Sequence, residues 1–85
     1  MKTFEYTIKD EVGIHARPAG LLVKEAKGYT STIKVAKGEK DADATRLMAV
    51  MSLGVKCGDT VVVSIEGEDE EQAAEGIRKF FEDNL

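Results

Sequence analysis

Gly58-Asp59-Thr60-Val61-Val62-Val63-Ser64-Ile65-Glu66 is the stretch that decides the architecture. Gly58-Asp59 turns the chain, and Val61, Val63 and Ile65 then point one way at a spacing of two residues. That is a strand with one face made for a core. The same alternation appears earlier in the chain. Phe4, Tyr6 and Ile8 alternate with Thr3, Glu5, Thr7 and Lys9, and Ile33 shares a face with Val35 within Thr32–Lys37. Lys37-Gly38-Glu39 suits a tight turn into a short strand over Lys40–Asp43, weak because Asp41-Ala42-Asp43 is polar.

Between these strands the period lengthens. Ala16–Lys27 reads as a helix, with Pro18 in its first turn, Leu22 and Ala26 four apart, and Gly28 as a stop. Thr45 is placed to cap a short helix over Arg46–Leu53, closed by Gly54. Asp69 followed by Gln72 looks like a capping box for a last helix. The apolar stripe of that helix is Ala73, Ile77, Phe80, Phe81 and the Asn84-Leu85 end. The order is therefore βαββαβα. Each strand has one apolar face and each helix one apolar stripe. The economical packing is an α+β open-faced two-layer sandwich, one antiparallel or mixed sheet with three helices on a single face. Pattern alone leaves the strand order open.

The 85 residues are 42% hydrophobic and 33% charged, which fits a single globular domain over residues 1–85 and argues against disorder. So short a chain has no room for a deep active site beside a substrate domain. The longest apolar run, Leu47 to Met51, falls far short of the ~20 residues of a membrane span, and no membrane insertion is expected. Met1-Lys2-Thr3-Phe4-Glu5 turns polar at once and carries no apolar targeting region. One Cys and one His cannot build an internal disulfide or a zinc site by themselves, so no metal or cofactor is expected and a reducing, cytoplasmic setting fits. The net charge of −4 conceals an asymmetry: from Gly13 to Cys57 eight basic residues face four acids, so the remainder is strongly acidic. The overall balance argues against nucleic acid as a partner. A local basic face suits an acidic protein or a phosphate.

His15 is the one histidine, and it lies where a loop becomes a helix, in Gly13-Ile14-His15-Ala16-Arg17-Pro18-Ala19-Gly20. A helix N-terminus offers unpaired N–H groups and the positive end of a dipole. Pro18 has no N–H, so the donors nearest His15 are the amides of Ala16 and Arg17. The Arg17 guanidinium adds a fork matched to phosphate oxygens. A positive setting favours the neutral imidazole, which is a nucleophile. A phosphoryl group taken up there would meet donors and a cation. Most lone histidines are surface or capping residues; Gly13 before this one and Arg17-Pro18 after it favour an anion site. No nucleophile elbow supports a serine hydrolase, and nothing supports Cys57 as a nucleophile, so it reads as an inert small residue.

The segment Gly13-Ile14-His15-Ala16-Arg17-Pro18-Ala19 resembles the phosphorylation site of HPr, the histidine-containing phosphocarrier family of the bacterial sugar phosphotransferase system. Leu47-Met48-Ala49-Val50-Met51-Ser52-Leu53-Gly54 resembles that family's second helix and the turn after it, and the likeness extends over essentially the whole chain. The resemblance implies a four-stranded antiparallel sheet with three helices on one side. It implies a cytoplasmic, stoichiometric phosphoryl carrier, grouped with transferases but not itself a turnover enzyme. The carrier receives phosphoryl from enzyme I, which is charged by phosphoenolpyruvate, and passes it to sugar-specific IIA proteins. By the same resemblance the acceptor is His15 Nδ1, Arg17 steadies the group, and the chain acts as a monomer.

The helix Arg46–Leu53 is apolar almost all round, and a short helix on a one-sided sheet cannot bury every side. Either all its apolar residues are core, or Val50 and Leu53 go inward while Leu47, Met48 and Met51 form an adaptable patch for partners. The resemblance favours the second reading, with Gly20, Lys24 and Lys27 rimming the patch. One departure matters. Where many relatives carry a regulatory serine phosphorylated by an ATP-dependent kinase, this chain has Arg46. Two alternatives stand beside the transport carrier: a regulatory module of the same fold that signals by binding partners in carbon or nitrogen control, and an unrelated ligand-binding domain of ferredoxin-like build. The second leaves the His-Ala-Arg-Pro cluster unexplained.

Overall fold

The computed structural model describes residues 1–14 and 16–85. In chain order it contains β1 (Lys2–Thr7), α1 (Ala16–Ala26), β2 (Thr32–Lys37), β3 (Lys40–Asp43), α2 (Leu47–Ser52), β4 (Thr60–Glu66) and α3 (Glu70–Asn84), the predicted order. The strands form one sheet, β1-β4-β2-β3, and every neighbouring pair is antiparallel. The last strand is thus an inner one: Val63 lies opposite Phe4 of β1 and Val35 of β2.

Alternation along the strands divides the sheet. Phe4, Ile33, Val35, Ala42, Val61, Val63 and Ile65 are buried on one face, while Glu5, Lys34 and Val62 are exposed on the other. The helices cover the buried face. α1 buries Pro18, Ala19, Leu22 and Ala26, and α3 buries Ala73, Ile77 and Phe81. The Phe81 ring meets Phe4 and Tyr6 edge to face, with centroids 6.0 and 5.5 Å apart, the geometry aromatic quadrupoles favour. The polar third strand forms because it is an edge and supplies a single side chain, Ala42, to the core. Gly38, at φ 61°, takes the first position of the two-residue turn that joins Lys37 to Lys40.

Both helix caps read from the sequence need correction. Thr45 does not cap α2. Its hydroxyl and amide both donate to Asp43 Oδ1, at 2.6 and 2.9 Å, closing a turn around the aspartate. Arg46 takes the N-cap place in extended backbone (φ −115°, ψ 104°), with no side-chain cap. Asp69 does sit at the N-cap of α3, but at φ −102°, ψ 25° its carboxylate makes no bond to the helix. It reaches across to the turn after α1 and accepts from the Thr30 amide and the Ser31 amide, each at 2.9 Å, and from the Ser31 hydroxyl. Ser31 is buried and needs that acceptor, so the tertiary bonds displace the local ones.

The Ser31 hydroxyl, joined by the Thr30 and Ser31 amides, holds the Asp69 carboxyl below its ordinary value of 3.8. A lowered folded pKa gives stability that is complete above the unfolded value and is lost as pH falls through the folded one. Asp69→Ala should therefore melt below wild type at neutral pH. The gap in Tm should close as pH falls below 3.8, which melts from pH 7 to strong acid measure directly. A gap that persists unchanged in acid would mean the carboxylate is not what joins α3 to this turn.

Candidate functional site

The chain entering α1 is fixed by its backbone. The Val12 amide donates to Asp10 Oδ1 at 2.9 Å, and the Gly13 amide to the Asp10 carbonyl at 3.0 Å. Gly13 then adopts φ +81°, open to glycine and costly for other residues. A Cβ there would lie 2.4 Å from the Val55 carbonyl oxygen and 2.6 Å from Lys56 Cα, so the position admits only glycine on space as well. The next amide, of Ile14, donates to that same Val55 oxygen at 3.1 Å, and the Ile14 side chain is buried. Residues 13 and 14 are therefore pressed onto the segment between α2 and β4.

His15 lies outside the described residues. On its far side α1 begins at once with Ala16. Pro18 and Ala19 are buried and anchor the first turn, whereas Ala16 and Arg17 face solvent. The first turn of α1 itself contains no acid to complement the positive end of its dipole. Arg17 lines a shallow cleft with Asp10, Pro18, Leu21 and Asn84. Position 15 is thus bracketed by a clamped loop and an acid-free helix start. A helix start without acids favours an anion beside it.

α2 divides as its sequence suggested. Val50 is fully buried and Leu53 nearly so, while Leu47, Met48 and Met51 are 40%, 75% and 36% exposed. Arg46 is exposed beside them and lines a cleft with Lys34, Asp41, Asp43, Leu47 and Met48. Gly20 is half-buried on α1, and Lys24 and Lys27 are exposed. Lys24 lines the groove between α1 and α3, along with Leu21, Glu25, Tyr29 and Phe80. Cys57 is exposed, its thiol 3.8 Å from the Lys9 carbonyl oxygen. Among the described residues, no group of three His, Cys, Asp or Glu is placed to hold a metal ion, and no helix is long and apolar enough to cross a membrane.

Sequence reasoning missed two exposed apolar residues here, Leu21 (42%) and Val12 (64%). Leu21 had a legible signal: it follows Arg17 by four residues, one helical turn along the solvent side of α1. Val12 had none, because its exposure follows from the turn around Asp10.

The family model described as the PTS HPr component phosphorylation site matches residues 2–83. A phosphocarrier protein HPr of Lysinibacillus sphaericus is 44% identical over 77 residues, covering 91% of this chain and 88% of the relative. An HPr-like protein Crh of Halalkalibacterium halodurans is 40% identical over 75 residues, covering 88% and 89%. The solved structure of a mycoplasma histidine-containing phosphocarrier protein matches with a TM-score of 0.93 at 35% identity, covering 96% of this chain and 93% of that one. With the antiparallel β1-β4-β2-β3 sheet and the clamped segment before α1 in place, this chain belongs to the HPr family of phosphocarrier proteins of the phosphotransferase system.

Proposed function

We propose that His15 accepts a phosphoryl group from enzyme I and passes it to IIA proteins in sugar uptake. The observation that carries this reading is the bracketing of position 15. The backbone before it is clamped at Gly13 and Ile14, and the helix after it has no acid in its first turn. The Nδ1 lone pair attacks phosphorus; the bond from phosphorus to its donor atom on enzyme I breaks as the P–N bond forms. The Ala16 amide and the exposed Arg17 guanidinium then stabilise the charge delivered. A carrier must show its acceptor to two partners in turn, which fits shallow clefts better than a deep pocket. The likeness to Crh, whose solved Bacillus subtilis structure is described as a catabolite repression protein, favours a second reading, a regulatory module acting by binding alone. The presence of His15 supports the carrier, since binding alone has no use for a nucleophile.

Incubation with enzyme I and phosphoenolpyruvate should add one acid-labile phosphoryl group, seen by intact-protein mass spectrometry and absent from His15→Ala. An unmodified wild type, beside a control carrier that the same enzyme I does charge, would leave the binding module standing. Arg17→Ala should change folding stability by less than about 0.5 kcal/mol, since Arg17 is exposed. It should slow transfer roughly ten- to a hundredfold, the worth of a charge-assisted hydrogen bond.

Leu47, Met48 and Met51 form the apolar contact for both partners in this reading, with Gly20, Lys24, Lys27 and Arg46 around it. Met48→Glu should weaken binding of enzyme I about fivefold or more and leave the circular dichroism spectrum unchanged. Unchanged binding of enzyme I by a folded Met48→Glu would remove Met48 from the contact.

Arg46 replaces the acceptor hydroxyl of the serine switch with a fixed cation. The chain should therefore stay unmodified when treated with the serine kinase and ATP, and label on Thr45 or Ser52 would refute this. Arg46→Ser should lower the association rate with enzyme I at low salt and have less effect at high salt, because charge steering is screened. An unchanged rate at both salt concentrations would leave Arg46 a bystander.

A further inference from the structure

We infer that Lys37 is a positioning residue for phosphoryl transfer: through the 54–59 segment, it holds Gly13 and Ile14 in the place that sets up position 15. The inference rests on the reading of His15 as the acceptor. Lys37 is the last residue of β2, at the sheet end where Thr7 of β1 lies opposite Thr60 of β4. Its ammonium donates to the Gly54 carbonyl at 2.9 Å and pairs with Asp59 Oδ2, also at 2.9 Å. Gly54 follows α2 and Asp59 precedes β4, so one cation joins the two ends of the connecting segment. The same Asp59 oxygen accepts the Lys56 amide at 2.8 Å, and the Asp59 amide donates to the Lys56 carbonyl at 3.0 Å. The buried Val55 side chain and the backbone bonds of Gly58 and Asp59 to Ile8 fix the middle and far end. At the Gly54 end the amide donates to the Met51 carbonyl of α2 at 3.3 Å, and Lys37 is the side chain that ties this end to β2 and to Asp59.

That segment is the wall against which the site loop rests. The Val55 carbonyl receives the Ile14 amide, and Gly13 has no room for even a Cβ between itself and Val55 and Lys56. A shift of the wall is therefore passed directly to residues 13 and 14. Ion pairs as exposed as this one contribute little to global stability. A role for Lys37 should accordingly show in the site and in local opening, and leave the core unmoved.

The test uses the full chain and compares Lys37→Met, which keeps the apolar stem and removes the cation, with Lys37→Arg, which keeps it. Two readouts are taken together: the rate of phosphoryl transfer from enzyme I, and amide hydrogen exchange at Ile14 and at core β4 residues such as Val63. Lys37→Met should slow transfer about threefold or more and speed exchange at Ile14 by a similar factor, while Val63 protection is unchanged. Lys37→Arg should stay within about twofold of wild type in both, since it keeps the cation that reaches Gly54 and Asp59. Normal transfer in Lys37→Met overturns the inference. So does a slowing accompanied by equal loss of protection at Val63, because the effect is then global. A wild type that enzyme I never charges overturns the reading of His15, and the Ile14 exchange separates that failure from a failure of the clamp.

Discussion

The insertion of β4 between β1 and β2 is the constraint on which the rest of the molecule depends. Both neighbours run antiparallel to β4, so β1 and β2 are parallel to each other and one strand apart. The chain leaving β1 must cross that gap before it can form β2, and α1 is the crossing. The register then decides what meets at the end of the sheet. Thr7 lies opposite Thr60 and Ala36 opposite Val62, so the exit from β1, the entry to β4 and the exit from β2 share one end. The loop ahead of α1, the 54–59 segment and Lys37 are brought together by pairing alone. The site sits there for a topological reason, and its details are local adjustments to that meeting.

Burial supplies the force that maintains this pairing. Val61, Val63 and Ile65 are entirely buried from both neighbouring strands and from the helices above. Removing apolar side chains of this size from water stabilises by roughly 1.5–3 kcal/mol each before entropy is counted. Phe81 extends the same core toward β1 through its contacts with Phe4 and Tyr6. The opposite face of the sheet stays in water, and the free edge at β3 is short and charged, a composition that discourages pairing with another chain.

Charge is sorted along the sequence and in space. The basic middle of the chain supplies α1, α2 and the sheet end near position 15, whereas α3 carries acids through its first turn and along its solvent side. Its first-turn acids complement its own dipole, while α1 has none to offset its own. The start of α2 has no first-turn acid either and carries the Arg46 cation at its N-cap, so the two helices of the basic middle differ together from α3. Such an arrangement gathers basic residues in the middle of a chain whose net charge is −4.

Element order, helix stripes and the inward face of every strand were legible in the sequence, because they depend on spacing along one segment at a time. The roles proposed for His15 and Arg17 rest on the motif in the sequence, and the outward set of Leu47, Met48 and Met51 was legible as an excess of apolar residues on a short helix. Strand order was not, since alternation identifies a buried face but not the neighbour across it. The two caps failed for different reasons: folding delivered the Thr30 and Ser31 donors to the Asp69 carboxylate, whereas Thr45 donates to a nearer acceptor, the Asp43 carboxylate two residues before it. The contact of Gly13 with Val55 and the reach of Lys37 to Gly54 and Asp59 join residues that lie 42, 17 and 22 positions apart, which no local pattern encodes. Sequence determined the elements and the residue types of the segment from Gly13 to Ala19; tertiary structure decided what presses on that segment, because antiparallel register brings those distant residues to one end of the sheet.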